Sequence, residues 1–290
     1  MGWRTVVITD VSKLDFQTGF LVVRNSSLTK VHINEIDVLI IENTACSLTA
    51  YLLNELSKRK IKVIFCDEKR YPSFEIVPYY GCHDTSAKIK NQMRWDSDIK
   101  ACVWTKIVSE KIRHQSDILK WQMKSESYLL DKCINEIKYN DISNREAFAA
   151  KIYFNALFGT NFSRKLDNPI NAALNYGYTL VLSLISREIV ANGYLTQIGI
   201  THRNTFNYFN LASDFIEPFR PMVDRMVIEL EPKKFDKEEK HSMMSLFNCE
   251  LLISDRKESL SNAIRIYVKS VLNSLNEKNP AVMVTFDYEL

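Results

Sequence analysis

A chain of 290 residues with 46% hydrophobic and 25% charged residues has an ordinary globular composition, and its length favours roughly two domains. The low counts of 7 glycines and 7 prolines argue against long flexible linkers, and a net charge of +3 is only a weak indication of a polyanionic partner. The six cysteines form no C-x-x-C pair, which favours buried thiols in a reducing compartment. We recognise no signal peptide and no membrane span, so we expect a cytoplasmic protein without a membrane partner.

The first part of the chain is rich in strand signals. Short β-branched runs, several of them alternating, predict five strands, in WRTVVITD, GFLVVRN, KVHINEID, VLIIEN and IKVIFCD. One helix is predicted among them, in CSLTAYLLNELSKRK. The fold class is therefore predicted to be α+β, with a small β-rich amino-terminal domain over residues 1–75.

The strand signals end at YPSFEIVPYYGCHD, where two prolines and a glycine predict a connector over residues 76–88. Beyond it, apolar residues recur at three-four spacing, which predicts a larger all-α domain over residues 89–290. Separate helices are expected in SAKIKNQMRW, DSDIKACVWTKIVSEKIRHQ and SDILKWQMKSESYLLDKCINEIK. A further helix begins near Glu146. The next is predicted from Asn168, a good cap, and Pro169 to about Ala191, and two more carry Glu217 and occupy ESLSNAIRIYVKSVLNSL.

Three residues in this helical part are candidates for chemistry: Glu146, His202 and Glu217. Two carboxylates and an imidazole from separate segments are a ligand set expected for a divalent metal in phosphodiester chemistry. Each residue also has an ordinary explanation. Glu146 completes a possible capping box with Ser143, and a lone histidine is usually structural.

The segment around Glu217 carries the most information. Asp214 and Glu217 are three residues apart and share one helix face, while Pro218 and Pro221 cannot donate the backbone bonds that a regular helix needs. We therefore expect a kink or break beside an acidic face, although a salt-bridged surface helix remains the alternative. Because carboxylates dominate and no thiolate is near, Mg²⁺ or Mn²⁺ is favoured over zinc.

Three segments carry a specific resemblance: REAFAAKIYFNALFG, IGITHRNTFNYFNLASDFIEPFRPMVD and LSNAIRIYVKSVLNSL. Together they resemble the CRISPR-associated integrase family, the spacer-inserting subunit of CRISPR adaptation, and most of all its type II branch. The resemblance implies that Glu146, His202 and Glu217 are the catalytic metal ligands and that Asp214 supports them. The chain departs from many members by having Ala147 after the first glutamate, and from some by having Glu217 where they have aspartate.

The resemblance also implies a metal-dependent DNA endonuclease and integrase. Such a protein joins a short DNA duplex with single-stranded ends to a CRISPR repeat, by attack of a 3′ hydroxyl on a phosphodiester. The implied partners are a second copy of the chain, a small ferredoxin-like adaptation subunit, the guide-directed nuclease and a ring-shaped protein that binds DNA ends. Arg203 and Arg220 flank the expected metal and are the candidate phosphate contacts.

Two other functions are compatible with parts of the sequence. The chain could be a catalytically silent DNA-binding scaffold of the same adaptation complex, but a scaffold has no need of a complete ligand set. A helical protein–protein adaptor is the third possibility, and it gives no role to the kinked acidic helix.

Overall fold

The computed structural model describes residues 2–76 and 82–288, and the chain divides into two compact units, Met1–His83 and Asp84–Leu290. The division falls inside the predicted connector, of which residues 77–81 lie outside the described residues. Across the described part of the chain, no helix has the length and apolar character needed to span a membrane.

The described residues of the amino-terminal unit form two four-stranded sheets and one α-helix. The elements are β1 Arg4–Ile8, β2 Lys13–Gln17, β3 Phe20–Arg24, β4 Leu28–His32, β5 Ile36–Ile41, β6 Ser47–Leu48, α1 Ala50–Lys58, β7 Lys62–Cys66 and β8 Pro72–Glu75. Strands β1, β5 and β7 are parallel and lie side by side, with β8 antiparallel at the edge, and the second sheet has the order β4-β3-β2-β6. Fully buried aliphatic side chains, among them Leu14, Leu39 and Leu52, form the core of this unit.

Strand β2 was not predicted, because KLDFQ has only two apolar residues. It pairs with β3 across a tight turn in which Thr18 and Gly19 both have positive φ, 46° and 89°. The predicted strand KVHINEID is wrong in its middle, since a short 3-10 turn at Ile33–Glu35 separates β4 from β5. These differences change local boundaries and leave the β-rich character of the unit as predicted.

The second unit is mostly helical, which confirms the predicted fold class. Its helices are α2 Thr85–Met93, α3 Ser97–Trp121, α4 Ser127–Glu136, α5 Arg145–Phe158, α6 Pro169–Ala191, α7 Asn210–Phe215, α8 Arg220–Leu230, α9 Lys237–Met243 and α10 Leu260–Glu277. A small antiparallel sheet that the sequence did not predict is formed by β9 Glu250–Ile253, β10 Arg256–Ser259 and β11 Phe286–Asp287.

Helix α3 is the element around which this unit is built. It continues past Gln115, where two helices were expected, and the chain turns only at Met123, whose φ is 53°. Its buried face, with Ile107, Val108 and Ile112 fully inaccessible, packs against α4, α5, α8 and α10. Helix α3 also contacts the turn that follows α7, so α5 and that turn both lie against α3.

Candidate functional site

Glu146 lies in the first turn of α5, and the predicted capping box is wrong. Asn144, the residue before the helix, has a left-handed φ of 51° and makes no side-chain cap. The carboxylate of Asp141 takes that role and accepts from the backbone N–H groups of Arg145 at 2.8 Å and Glu146 at 3.0 Å. The side chain of Glu146 is therefore not needed as a cap and turns towards α3.

Glu217 lies where the expected kink occurs. Helix α7 ends at Phe215, a 3-10 turn spans Glu217–Phe219, and α8 starts at Arg220, so the prolines break the helix as predicted. The side chain of Glu217 is almost fully buried, and one carboxylate oxygen accepts from Nε of Arg220 at 2.9 Å. A salt-bridged surface helix, the alternative explanation, does not describe this buried carboxylate.

A single ammonium joins the two glutamates. Nζ of Lys111 lies 2.6 Å from Oε1 of Glu146 and 2.5 Å from Oε2 of Glu217, and the lysine side chain is 9% exposed. Burial lowers the pKa of Lys111, but the charges of Glu217 and Glu146 outweigh it, and the net shift is upward. Burial raises the pKa of Glu217, yet the charges of Arg220 and Lys111 bring it below its usual value. Glu217 is therefore ionised, and both glutamates contact the same buried cation.

His202 is held by Asp214, which is fully buried at the end of α7. The Asp214 carboxylate accepts from the backbone N–H groups of Ile200 at 2.5 Å, Thr201 at 3.2 Å and His202 at 3.1 Å, and lies 2.7 Å from Nδ1 of the His202 ring. This last hydrogen bond raises the pKa of His202, with Glu217 and Glu146 adding to the shift. Because Nδ1 is engaged, Nε2 is the ring nitrogen left for a ligand.

The loop before His202 can approach Asp214 this closely because residue 199 is glycine. A Cβ atom at Gly199 would lie 2.5 Å from the carbonyl oxygen of His202 and 2.7 Å from Oδ2 of Asp214. On the other side of the loop, the His202 ring makes an edge contact with buried Trp104, with ring centroids 6.0 Å apart. The imidazole is thus fixed in both position and tautomer.

The two predicted arginines differ in their surroundings. Arg220 is paired with Glu217 and its guanidinium lies 4.6 Å above the ring of Tyr178. Arg203 is exposed and lines a cavity of about 440 Å³ beside His202, to which Lys100, Asn204 and Tyr208 also contribute. Arg203 is therefore open to a ligand, whereas Arg220 already has a carboxylate and a ring to contact.

Two features of the site were missed from the sequence. Lys111 follows Ile107 and Val108 at helical spacing, and a lysine on an otherwise buried stripe was the signal that a buried acidic partner exists. Asp224 is also buried, accepts from the Tyr178 hydroxyl, and has a pKa raised to about 6, chiefly by burial. Asp224 lies seven residues after Glu217, which would place it on nearly the same face of a continuous helix, but the sequence does not predict its contact with Tyr178.

Glu146, Glu217 and Nε2 of His202 are the groups of this site that could hold a divalent cation. The two carboxylates already direct oxygens at one cationic atom, and oxygen donors with negative charge are the kind of group that a hard divalent cation prefers. Their donor atoms and that of His202 do not all lie within 4.8 Å of one another. The Asp214 carboxylate is already bonded to the backbone of the loop and to Nδ1 of His202. Asp214 therefore orients the histidine and is not a fourth ligand.

Comparison with known proteins shows the family to which the chain belongs. The family model described as "CRISPR associated protein Cas1" matches residues 5–262. A CRISPR-associated endonuclease Cas1 of Neisseria meningitidis serogroup C (strain 8013) is 33% identical over 286 residues, which cover 96% of this chain and 94% of the relative. The chain therefore belongs to the Cas1 family of CRISPR-associated endonucleases.

Solved structures give the same fold at low sequence identity. A casposase bound to integration product matches with a TM-score of 0.77 and 18% identity, over 95% of this chain and 91% of the other. A chain of a partial Cas6-RT-Cas1–Cas2 complex matches with a TM-score of 0.67 and 17% identity, over 98% of both chains. At this identity the likeness shows a shared fold.

Proposed function

We propose that this protein is a divalent-metal-dependent DNA integrase and endonuclease that inserts short DNA fragments as new spacers into a CRISPR array. The reaction is attack of a DNA 3′ hydroxyl on a phosphodiester at the repeat border. The observation that carries the proposal is the pair of carboxylates, Glu146 and Glu217, which both contact Nζ of Lys111. Their charges also act on the His202 ring, which Asp214 orients. Membership of the Cas1 family supports the reaction class.

Glu146, Glu217 and His202 would hold Mg²⁺ or Mn²⁺. Both ions are hard cations that carboxylate oxygens suit, and Mn²⁺ also accepts an imidazole ligand. When bound, the ion would stabilise charge on the scissile phosphate and help to generate the nucleophile. Asp214 keeps the His202 ring in place and holds the proton on Nδ1, so that Nε2 faces outward as an electron-pair donor. Arg220 keeps Glu217 ionised and oriented.

DNA is the proposed substrate, and Arg203 is the strongest candidate for a phosphate contact because it is exposed at the cavity beside His202. Phe206 and Tyr208, in the same loop, are 89% and 72% exposed and offer faces on which unpaired bases can stack. The casposase that shares this fold is bound to an integration product, which supports DNA as the partner. Arg220 would meet phosphate only by changing its present contacts.

A second copy of the chain and a small ferredoxin-like adaptation subunit are the proposed protein partners, and the Cas1–Cas2 complex among the similar structures supports the latter. Membership of the type II branch, and participation of the guide-directed nuclease and of a ring-shaped protein that binds DNA ends, remain predictions from the resemblance.

The proposal is tested by strand transfer of a short DNA duplex into a repeat-containing target, with the partner subunit and with Mg²⁺ or Mn²⁺. We expect His202→Ala and Glu217→Gln to abolish transfer while leaving DNA binding and the fold intact, because each removes a metal ligand. His241→Ala, at an exposed histidine of α9, is the matched control and should retain activity. Normal transfer by His202→Ala would overturn the proposal. DNA binding by the unaltered protein without transfer under any metal condition would favour the silent scaffold.

A further inference from the structure

Lys111 is a buried cation placed on the carboxylates that the proposed function assigns to a metal. We propose that the Lys111 ammonium and the divalent ion compete for Glu146 and Glu217, so that metal binds only when the ammonium withdraws. This inference rests on the proposed function and concerns its regulation. Lysine thus acts as an internal counter-ion that limits metal affinity in the DNA-free protein.

The competition follows from the atoms that Lys111 contacts. Its Nζ lies at 2.6 and 2.5 Å from one oxygen of each glutamate, and it therefore fills the space between them. A Mg²⁺ ion demands ligand oxygens at roughly 2.0–2.1 Å in octahedral geometry, which brings neighbouring ligand atoms close together. The donor atoms of Glu146, Glu217 and His202 do not all lie within 4.8 Å of one another, so these side chains must draw together when the ion replaces the ammonium.

The charges around the site make such an exchange feasible. Glu217 keeps a partner when Lys111 withdraws, because its other oxygen is bonded to Arg220 at 2.9 Å. Glu146 is the more accessible partner, with a side chain 29% exposed, so solvent and ions can reach the pair from its side. A divalent ion added with both Lys111 and Arg220 still in place would give the two glutamates an excess of positive charge. Exchange halves that excess, because the ammonium takes its positive charge away from the carboxylates.

The test is Mn²⁺ binding to the DNA-free full chain by isothermal titration calorimetry, with electron paramagnetic resonance of free Mn²⁺ as a second measurement. Lys111→Met removes the charge and keeps a similar length. Lys111→Gln is the second neutral variant, because it still donates a hydrogen bond to one glutamate and protects the fold. Lys111→Arg retains the charge. The matched control is Lys120→Met, which removes a half-exposed lysine of the same helix that pairs with Asp131.

We expect both neutral variants to bind Mn²⁺ at least about tenfold more tightly, since the ion no longer has to break two buried ion pairs. Lys111→Arg and Lys120→Met should bind no more tightly than the unaltered protein. Circular dichroism verifies the fold of each variant. Equal or weaker binding by folded Lys111→Gln would overturn the competition.

Failure of the proposed metal site has a different signature. In that case the unaltered protein would bind no Mn²⁺ that depends on Glu217, as judged by comparison with Glu217→Gln. Such a result would overturn both the metal site and the competition. Metal binding that depends on Glu217 but is unaffected by Lys111→Met and Lys111→Gln would overturn the competition alone.

Discussion

Replacing Asp214 by asparagine is the sharpest test of how the site is held. The carboxylate accepts from three consecutive backbone N–H groups and from the ring of His202, and it is fully buried. Asparagine has nearly the same shape but only one acceptor oxygen. If that oxygen faces His202, the amide NH₂ meets the N–H groups of Ile200 and Thr201, which then lose their acceptor.

The expected cost can be estimated from those contacts. A hydrogen bond to a charged group contributes about 1.5–3 kcal/mol, and a buried donor left unsatisfied costs about 1–3 kcal/mol. Ile200 is buried, so water cannot replace the lost acceptor. Allowing for relaxation of the loop, Asp214→Asn should lower the free energy of unfolding by about 3 kcal/mol.

The effect should also depend on pH. Because Asp214 raises the pKa of His202 in the folded protein, the pair contributes stability that is fully present below the unfolded pKa of histidine. That contribution is lost as pH rises through the folded pKa. The difference between the unaltered protein and Asp214→Asn should therefore be larger at acidic than at alkaline pH.

Urea denaturation followed by tryptophan fluorescence is the assay, since Trp95, Trp104 and Trp121 lie in the helical unit and Trp104 contacts the His202 ring. An NMR titration of His202 should show its pKa falling in the variant. Asp131→Asn, at a half-exposed aspartate, is the matched control and should cost less than about 1 kcal/mol. A similarly small loss for Asp214→Asn would refute the role given to this carboxylate.

Two further variants probe the surroundings of the site. Gly199→Ala should lower the free energy of unfolding by about 2 kcal/mol or more, because its Cβ would collide with the loop backbone and Asp214; thermal unfolding measures this, and an unchanged midpoint would contradict the geometry. Asp224→Asn should remove a loss of folding stability that occurs as pH rises. The pKa of Asp224 is raised to about 6, so the unaltered protein loses up to about 3 kcal/mol of stability as pH rises from 4 to 7. A stability profile as steep in Asp224→Asn as in the unaltered protein would count against this assignment.

Much of the fold was predictable because it depends on local signals. The cap at Asn168 with Pro169, the three-four spacing of apolar residues and the proline pair after Glu217 predicted α6 and the break between α7 and α8, all of which the structure shows. In the small sheet of β9, β10 and β11, the strand β11 was missed because it has only two residues and pairs with β9 across a long stretch of chain. Such pairing leaves no periodic signal in the sequence.

The site was predictable in its residue types and less so in its contacts. Glu146, His202 and Glu217 were singled out by sequence, and the structure brings both carboxylates to Lys111. The lysine itself was missed because its role depends on two segments 35 and more residues away. The cap of α5 was assigned to the wrong residue. Asp141 reaches the start of the helix because residues before it have positive φ, and the sequence does not predict that backbone conformation.

The contact between Asp214 and His202 also restricts how this site can evolve. An aspartate or glutamate at position 202 would place a second carboxylate where the ring nitrogen now lies, 2.7 Å from Asp214. Repulsion between the two charges would penalise that step. A change of Asp214 first would release the loop that carries His202. A single substitution therefore does not convert the proposed donor set to oxygen alone, because Asp214 favours a nitrogen at position 202 whatever the ring nitrogen binds.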